Sequence, residues 1–150
     1  MLPLDQTSTQ RRKGAKNSNY KIKRSVDENE ISHKIIGAAI EVHKTLGPGL
    51  LESVYADALS FELRQIGLTV QHQQELRVIY KGQELPGSFR IDLVVDGSVI
   101  IELKAVEKLL PVHEAQLLTY LKLANKKLGL LINFNSTQIR NSVRRVVNNL

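Results

Sequence analysis

The stretch from Phe89 to Val106, FRIDLVVDGSVIIELKAV, restricts the fold more than any other part of the chain. It contains two apolar runs separated by Asp96-Gly97-Ser98, and an Asp-Gly pair between such runs is a strong signal for a tight hairpin turn. Because side chains alternate between the two faces of a strand, every second residue should enter a core. We expect the apolar face of this hairpin to comprise Ile91, Leu93, Val95, Ile101, Leu103 and Ala105.

Four charged residues are expected on the other face of the hairpin: Arg90, Asp92, Glu102 and Lys104. A hairpin folded about Gly97 sets Asp92 opposite Glu102, and Arg90 opposite Lys104, with Cβ atoms roughly 4.5–5.5 Å apart across the strands. Two carboxylates at that separation repel each other unless one is protonated or a cation lies between them.

A hard divalent cation would remove that repulsion. Magnesium binds proteins through one or two carboxylates and keeps several waters for a phosphate substrate. The hairpin therefore has the features of half a Mg²⁺ site, in which Mn²⁺ would be a substitute. Lys104 points to the same side as Glu102 and would hold a nucleophilic water or neutralise charge that develops on a phosphate.

These residues carry a family resemblance. Asp92, followed after a spacer by Glu102-Leu103-Lys104, resembles the PD-(D/E)xK signature of metal-dependent nucleases. Ile91 stands where that motif often has proline, which is a weak part of the pattern.

Two further motifs extend the resemblance along the chain. The segment 49–55, GLLESVY, matches the GxxExxY motif that names a family of small bacterial proteins placed in the same nuclease superfamily. The segment 116–120, QLLTY, resembles the QxxxY motif of its RecB-like members. The three motifs occur in the expected order and together cover about residues 30–135.

The resemblance implies a fold and a set of site residues. The fold would be α/β, a single domain with a mixed central β-sheet flanked by helices and a restriction-endonuclease-like αβββαβ core. Asp92, Glu102 and the Leu103 carbonyl would hold Mg²⁺, and Glu52 would add a third carboxylate. Gln116 and Tyr120 would position the substrate, or orient a phosphate or Lys104.

Several of these residues also have purely structural interpretations. A carboxylate such as Glu52 is favoured in the first turn of a helix by the helix dipole alone. Gln116 and Tyr120 lie four residues apart, on the same helical face as His113, which is also what a partly buried helix shows. Tyr55 is interpreted as a packed aromatic residue whose hydroxyl reaches a polar partner, with Glu52 as one candidate.

The remaining chain predicts alternating helices and strands. Ile31, Ile35, Ala38 and Val42 recur at helical spacing, and His43 near the end of that helix is a better ligand candidate than His33. We expect helices over about 28–46, 51–66 and 112–125 and from about 137. We expect a turn or hairpin at 81–84, and strands over 75–80, in the hairpin 89–106, and over 128–134.

Composition limits the class of protein. The chain has 150 residues, 42% hydrophobic content and no cysteine, which indicates one domain with a real core and excludes disulfides and thiolate metal sites. No apolar run approaches the roughly 18–20 residues of a membrane span, and no signal-peptide core is present at the N-terminus. We expect a cytoplasmic protein with no membrane partner.

The net charge of +6 is concentrated at one end of the chain. Residues 1–26 hold seven Lys and Arg against one Asp, and the rest of the chain is balanced. We predict a disordered basic N-terminal arm over 1–26 and a nuclease-like domain over 27–150. The arm would either attract nucleic acid or serve as a solubilising tail.

Three functional interpretations follow from the sequence. The first is a metal-dependent phosphodiesterase, namely a nuclease. Its partner would be nucleic acid, with DNA favoured over RNA. The second is a binding module that keeps the nuclease fold without cutting, and it is supported by the neutral charge of the domain. In the third, the charged residues form a salt-bridge network on a solvated sheet face, although Val94, Ile100 and Val106 on the same face indicate a covering helix. The oligomeric state stays open, a homodimer included.

Overall fold

Two helices open the part of the chain that the computed structural model describes, residues 27–150. The predicted arm over 1–26 lies outside the described residues. Helix α1 spans Glu28–Leu46, as the apolar spacing predicts, and the Asp27 carboxylate accepts hydrogen bonds from the backbone N–H groups of Asn29 and Glu30. These bonds satisfy donors that have no partner inside the helix. Helix α2 spans Glu52–Gln65.

A five-stranded sheet forms the centre of the domain. Its strands are β1 (Val70–Tyr80), β2 (Gln83–Val95), β3 (Val99–Lys104), β4 (Leu128–Asn133) and β5 (Val143–Val147). They lie side by side in chain order. All neighbours are antiparallel except β3 and β4, which are parallel and are connected by helix α3, Pro111–Ala124. The predicted α/β domain with a mixed central sheet is confirmed.

The central hairpin has the predicted register. Leu93 pairs with Ile101, and Val95 with Val99, which is the pairing expected for a chain folded about Gly97. Asp96 and Gly97 both have positive φ angles, 49° and 65°. Residues in that conformation twist a short turn to match its strands, and Asp and Gly tolerate it well.

Helices cover both faces of the sheet. Helices α1 and α2 pack on the face that carries Leu93, Ile101 and Leu103. On the other face α3 packs over Val94 and Ile100, so the charged face of the hairpin is covered by a helix and is not an open solvated surface. All six residues of β4 are buried, as predicted for a strand between two layers.

Helix α3 approaches β4 very closely at Gly129. A Cβ atom built on Gly129 would lie 2.9 Å from the side chain of Leu117 on α3. Only a residue without a side chain therefore lets Leu117 reach the sheet. None of the helices within residues 27–150 is long and apolar enough to cross a membrane.

The predicted final helix from about 137 is wrong. A short 3-10 turn over Ile139–Ser142 leads instead into strand β5, which pairs antiparallel with β4. Arg144 ion-pairs with Glu114 of α3, whereas its neighbour Arg145 bonds to Asn29 of α1. Adjacent side chains thus point to opposite faces, as they do in a strand.

Two other strand predictions need correction. Strand β1 begins at Val70 and not at 75. Ile91 packs with Val94 and Ile100 under α3, not with Leu93, so the alternation of faces breaks at Asp92. Gln73, opposite Asp92 on β1, has a positive φ of 49°, and this irregularity coincides with the break.

Candidate active site

Asp92 and Glu102 lie side by side just beyond the last paired residues of β2 and β3. A carboxylate oxygen of Glu102 accepts a hydrogen bond from the backbone N–H of Asp92 at 3.3 Å. In return, a carboxylate oxygen of Asp92 accepts one from the N–H of Leu103 at 2.8 Å. Each acidic side chain is therefore held by the backbone of the other strand, in the neighbouring position that the hairpin register predicts.

Burial and charge both act on Glu102. Its residue is only 7% exposed, and desolvation together with the negative charge of Asp92 raises the pKa of Glu102 to about 8. The backbone hydrogen bond from Asp92 and the positive charge of Lys104 partly oppose this rise in the pKa. Without a cation, the repulsion between the two carboxylates is thus relieved by a proton on Glu102.

Lys104 ends strand β3, two residues after Glu102. It is half-buried, and its carbonyl accepts a hydrogen bond from the N–H of Phe134 at 2.9 Å. Arg90 was predicted to lie on the same face as these residues, but it is not part of the group. Its guanidinium is near the carbonyl of Gln73, at 3.5 Å, because the alternation of faces has changed at Asp92. The positive charge of Lys104 acts on Glu102, so the structure brings together Asp92, Glu102 and Lys104.

Glu52 reaches the end of β3 from the first turn of α2. One of its carboxylate oxygens accepts a hydrogen bond from the N–H of Ala105 at 3.3 Å. Within residues 27–150, however, no three His, Cys, Asp or Glu side chains are grouped so that they share one ion. In this structure the Glu52 carboxylate bonds to the backbone beyond Lys104, and its place in a set of three carboxylates stays a prediction.

Tyr55 shapes the loop that leads into α2. Its hydroxyl donates to the carbonyl of Gly47 at 2.6 Å and accepts from the N–H of Leu50 at 3.1 Å. Its ring stacks on Phe134 with a centroid distance of 4.5 Å. The suggested contact with Glu52 is therefore wrong, and Tyr55 instead fixes the position at which α2 begins.

Helix α3 presents Tyr120 to the two carboxylates. Tyr120 is 6% exposed, and its pKa is raised first by burial and then by the negative charges of Glu102 and Asp92. A hydrogen bond with Gln116 acts in the opposite direction. Gln116 and Tyr120 thus lie on the side of α3 near the site, whereas His113 caps the helix by accepting a hydrogen bond from the N–H of Leu110 at 3.0 Å.

His43 is bonded elsewhere. A ring nitrogen of His43 lies 2.6 Å from the carbonyl oxygen of Ser136. The contact joins α1 to the segment that follows β4. This gives His43 a structural role and separates it from the acidic pair.

Sequence reasoning missed Asn133 at the end of β4. Asn133 is 3% exposed; its amide donates to the Val106 carbonyl at 2.8 Å, and its side-chain oxygen accepts from the N–H groups of Val106 and Asn135 at 3.1 and 3.2 Å. These bonds fix the chain two residues after Lys104. A polar residue closing an otherwise apolar run was the available signal.

The donors at this site fit a divalent cation that prefers oxygen ligands. Asp92 and Glu102 supply adjacent carboxylates. When no cation is bound, burial favours the protonated form of Glu102. Magnesium needs only one or two carboxylates, because water fills its other positions. The Leu103 side chain is buried in the core, so only its backbone is available as a further ligand.

The comparisons with known proteins give one match. A family model described as the PD-(D/E)XK nuclease superfamily matches residues 29–146. No curated protein and no solved structure matches the chain. The matched range contains strands β2 and β3, which carry the acidic pair, and also helices α2 and α3. The finer resemblances to GxxExxY proteins and to RecB-like members stay predictions.

Proposed function

The chain belongs to the PD-(D/E)XK nuclease superfamily, and from this premise we propose that it is a Mg²⁺-dependent nuclease that hydrolyses phosphodiester bonds of nucleic acid. The observation that carries the proposal is the reciprocal bonding of Asp92 and Glu102 beside Lys104. Two adjacent carboxylates, of which Glu102 is buried, repel each other unless a proton or a cation lies between them, and a divalent cation with oxygen ligands suits such a pair.

Each residue at the site has a proposed role. Asp92, Glu102 and the Leu103 carbonyl hold the cation, and Mn²⁺ can replace Mg²⁺. A bound divalent cation supplies a Lewis acid that polarises the phosphate and lowers the pKa of a coordinated water. Lys104 orients the attacking water and offsets negative charge on the phosphate.

The flanking helices position the reacting groups. Gln116 and Tyr120 on α3 contact the phosphate or Lys104 from the covered face of the sheet. Glu52 supplements the acidic pair once its bond to Ala105 is released, since the Glu52 side chain is exposed and that bond competes with water.

Cleavage assays test the proposal directly. The purified 150-residue chain is incubated with labelled single- and double-stranded DNA and RNA in Mg²⁺, Mn²⁺ or EDTA. We expect cleavage of DNA in either metal, none in EDTA, and a loss of roughly 100-fold or more in Glu102→Gln and Lys104→Ala. Glu41→Gln removes an exposed carboxylate from α1 and is the matched control. Cleavage that survives Glu102→Gln would come from a contaminant or another site and would overturn the proposal.

A module that binds nucleic acid without cutting it is the second candidate. It is favoured by the lack of three grouped ligands among residues 27–150. A Mg²⁺ titration followed by the melting temperature separates the two candidates. If the protein has a nuclease site, Mg²⁺ should raise the melting temperature of the wild type but not that of Glu102→Gln, because a ligand that binds the folded state stabilises that state. Binding of nucleic acid with no response to millimolar Mg²⁺ would favour the module.

A further inference from the structure

A polar cavity of about 350 Å³ lies at the edge of the sheet where β3 and β4 end. Its walls come from the segments that follow β3 and β4 and from the entry into β5, with Leu109 as its main apolar contact. The volume lies within the range of small-ligand sites. Such a cavity has room for one sugar-phosphate unit.

Hydrogen-bond donors dominate the lining of this cavity. Its cationic side chains are Lys108 and Arg144, and Glu107 is the one carboxylate. The neutral polar side chains that line it include Asn135, Ser136, Thr137 and Asn141. Arg, Lys, Ser, Thr and Asn are the side chains that commonly bond to phosphate and sugar oxygens of nucleic acids.

The cavity lies next to the end of β3 that carries Lys104. Asn133, which lines the cavity, pairs with Lys104 across β3 and β4. Asn133 also holds Val106 on both its N–H and its carbonyl. In sheets with parallel strands, ligands bind beyond the carboxyl ends of those strands. A nucleic-acid strand bound in this cavity would therefore lie next to the end of β3, where Lys104 is located.

Internal bonds hold the cavity wall in place before any ligand arrives. The Ser136 hydroxyl bonds to the backbone of Gln138, and the Asn141 amide donates to the Gln138 side chain at 3.0 Å. Arg144 donates to the carbonyl of Asn141 at 3.3 Å. His43 anchors the same segment to α1 through Ser136. Little conformational freedom then has to be lost on binding.

Lys108 is available to a ligand. It is exposed, and within residues 27–150 the ion pairs involve Lys34, Arg77 and Arg144 but not Lys108. The ion pair of Arg144 with Glu114 spans 3.7 Å between two half-exposed side chains. A phosphate can compete for such a cation because a solvated ion pair is weak.

We propose that this cavity is a phosphate-sugar subsite. It binds the nucleic-acid backbone next to the phosphodiester bond that is hydrolysed beside Lys104. The proposal deepens the proposed function and rests on it for the nature of the ligand. It assigns a binding role to the segment 135–144.

Binding measured in EDTA tests the subsite without cleavage. Fluorescence anisotropy of labelled 12-nucleotide DNA and RNA strands, single and duplex, is compared for Lys108→Glu and Lys127→Glu. Lys127 is also exposed but precedes β4, at the opposite end of the strand. We expect Lys108→Glu to weaken binding several-fold and to reduce the slope of log K against log salt by about 1, whereas Lys127→Glu changes neither.

A neutral variant separates a specific subsite from general charge. The double variant Asn135→Ala/Thr137→Ala removes donors without changing charge. It should weaken binding while the salt slope and melting temperature stay at wild-type values. Equal weakening by Lys108→Glu and Lys127→Glu, or wild-type binding by the neutral double variant, would overturn the subsite.

The two proposals fail in distinguishable ways. Cleavage by the wild type together with unchanged binding by the cavity variants would reject the subsite and leave the nuclease standing. Selective loss of binding in these variants, with no cleavage in Mg²⁺ or Mn²⁺, would support the subsite and reject the nuclease. The DNA and RNA strands in the same assay show which backbone is preferred.

Discussion

At the scale of single residues, the burial of Glu102 beside Asp92 links stability to pH. The carboxyl of Glu102 titrates near 4.5 in an unfolded chain and near 8 in the folded protein. Between these values the folded state binds more protons than the unfolded state, so stability falls as pH rises. Below 4.5 both states are protonated, and above 8 both are ionised, so the effect is confined to this window.

We predict a specific pH profile for the metal-free protein. Between pH 5 and pH 8 this one group should lower the free energy of unfolding by at most about 1.4 kcal/mol per pH unit. Urea unfolding in EDTA at several pH values measures the slope. In Glu102→Gln that part of the slope should disappear, because the amide does not titrate. An identical slope in both proteins would contradict the assignment to Glu102.

Asn133 carries a second prediction at this scale. Asn133→Ala leaves the partly buried N–H and carbonyl of Val106 without their partners, which should cost on the order of 2 kcal/mol of stability. Urea unfolding measures the cost, and Asn141→Ala, whose amide is exposed, is the control. A loss no larger than that of the control would show that Asn133 does not hold the end of β3.

Which residues meet at the site was only partly predictable. The approach of Asp92 to Glu102 follows from the period of two and the turn at Gly97, both of which are local. The departure of Ile91 and Arg90 from their expected faces coincides with an irregularity opposite Asp92, at Gln73 of another strand. No local pattern contains that information.

At the scale of elements, the close contact of α3 with β4 makes Gly129 sensitive to any side chain. Gly129→Ala places a methyl group 2.9 Å from Leu117, and such overpacking should cost about 1–3 kcal/mol. Leu117→Ala alone should cost about 2–5 kcal/mol by opening a cavity.

Combining the two substitutions tests the contact. The double variant Gly129→Ala/Leu117→Ala should be less destabilised than the sum of the single variants, since the new methyl group enters the vacated space. Thermal or urea unfolding of the four proteins gives the coupling energy. Simple additivity would mean that Leu117 yields without strain and that Gly129 is not required for the contact.

The last element shows where sequence patterns fail. The residues Val143, Val146 and Val147 suit a helical stripe, but β-branched residues also favour strands. The outer edge of β4 needs a partner for its backbone groups, and β5 supplies it. That requirement becomes visible only when β4 has been placed in the sheet. Helix α1 was predictable in full because its cap and its apolar spacing lie within the helix itself.

At the scale of the whole molecule, the separation of charge along the chain predicts how nucleic acid is bound. All the excess positive charge lies in residues 1–26. Replacing Arg11, Arg12 and Lys13 by Gln in the full chain should lower nucleic-acid affinity and reduce the salt slope by up to about 0.9 per lost duplex contact.

Anisotropy in EDTA measures this effect as well. Cleavage per bound complex should stay at the wild-type level, because the acidic pair lies on β2 and β3. Unchanged affinity would identify the arm as a solubilising tail.

The whole-molecule architecture was predictable mainly through the family resemblance, since periodicity alone does not give the strand order or the parallel pairing of β3 with β4.

The reciprocal bonds between each acidic side chain and the opposite backbone also bear on how such a protein can change. The same two carboxylates that would perform chemistry act as a clasp between β2 and β3. A related protein that lost catalysis could not lose both carboxylates without cost, because other bonds would have to replace those that connect β2 to β3. Retention of both acids in a relative is therefore no proof that the relative still cuts.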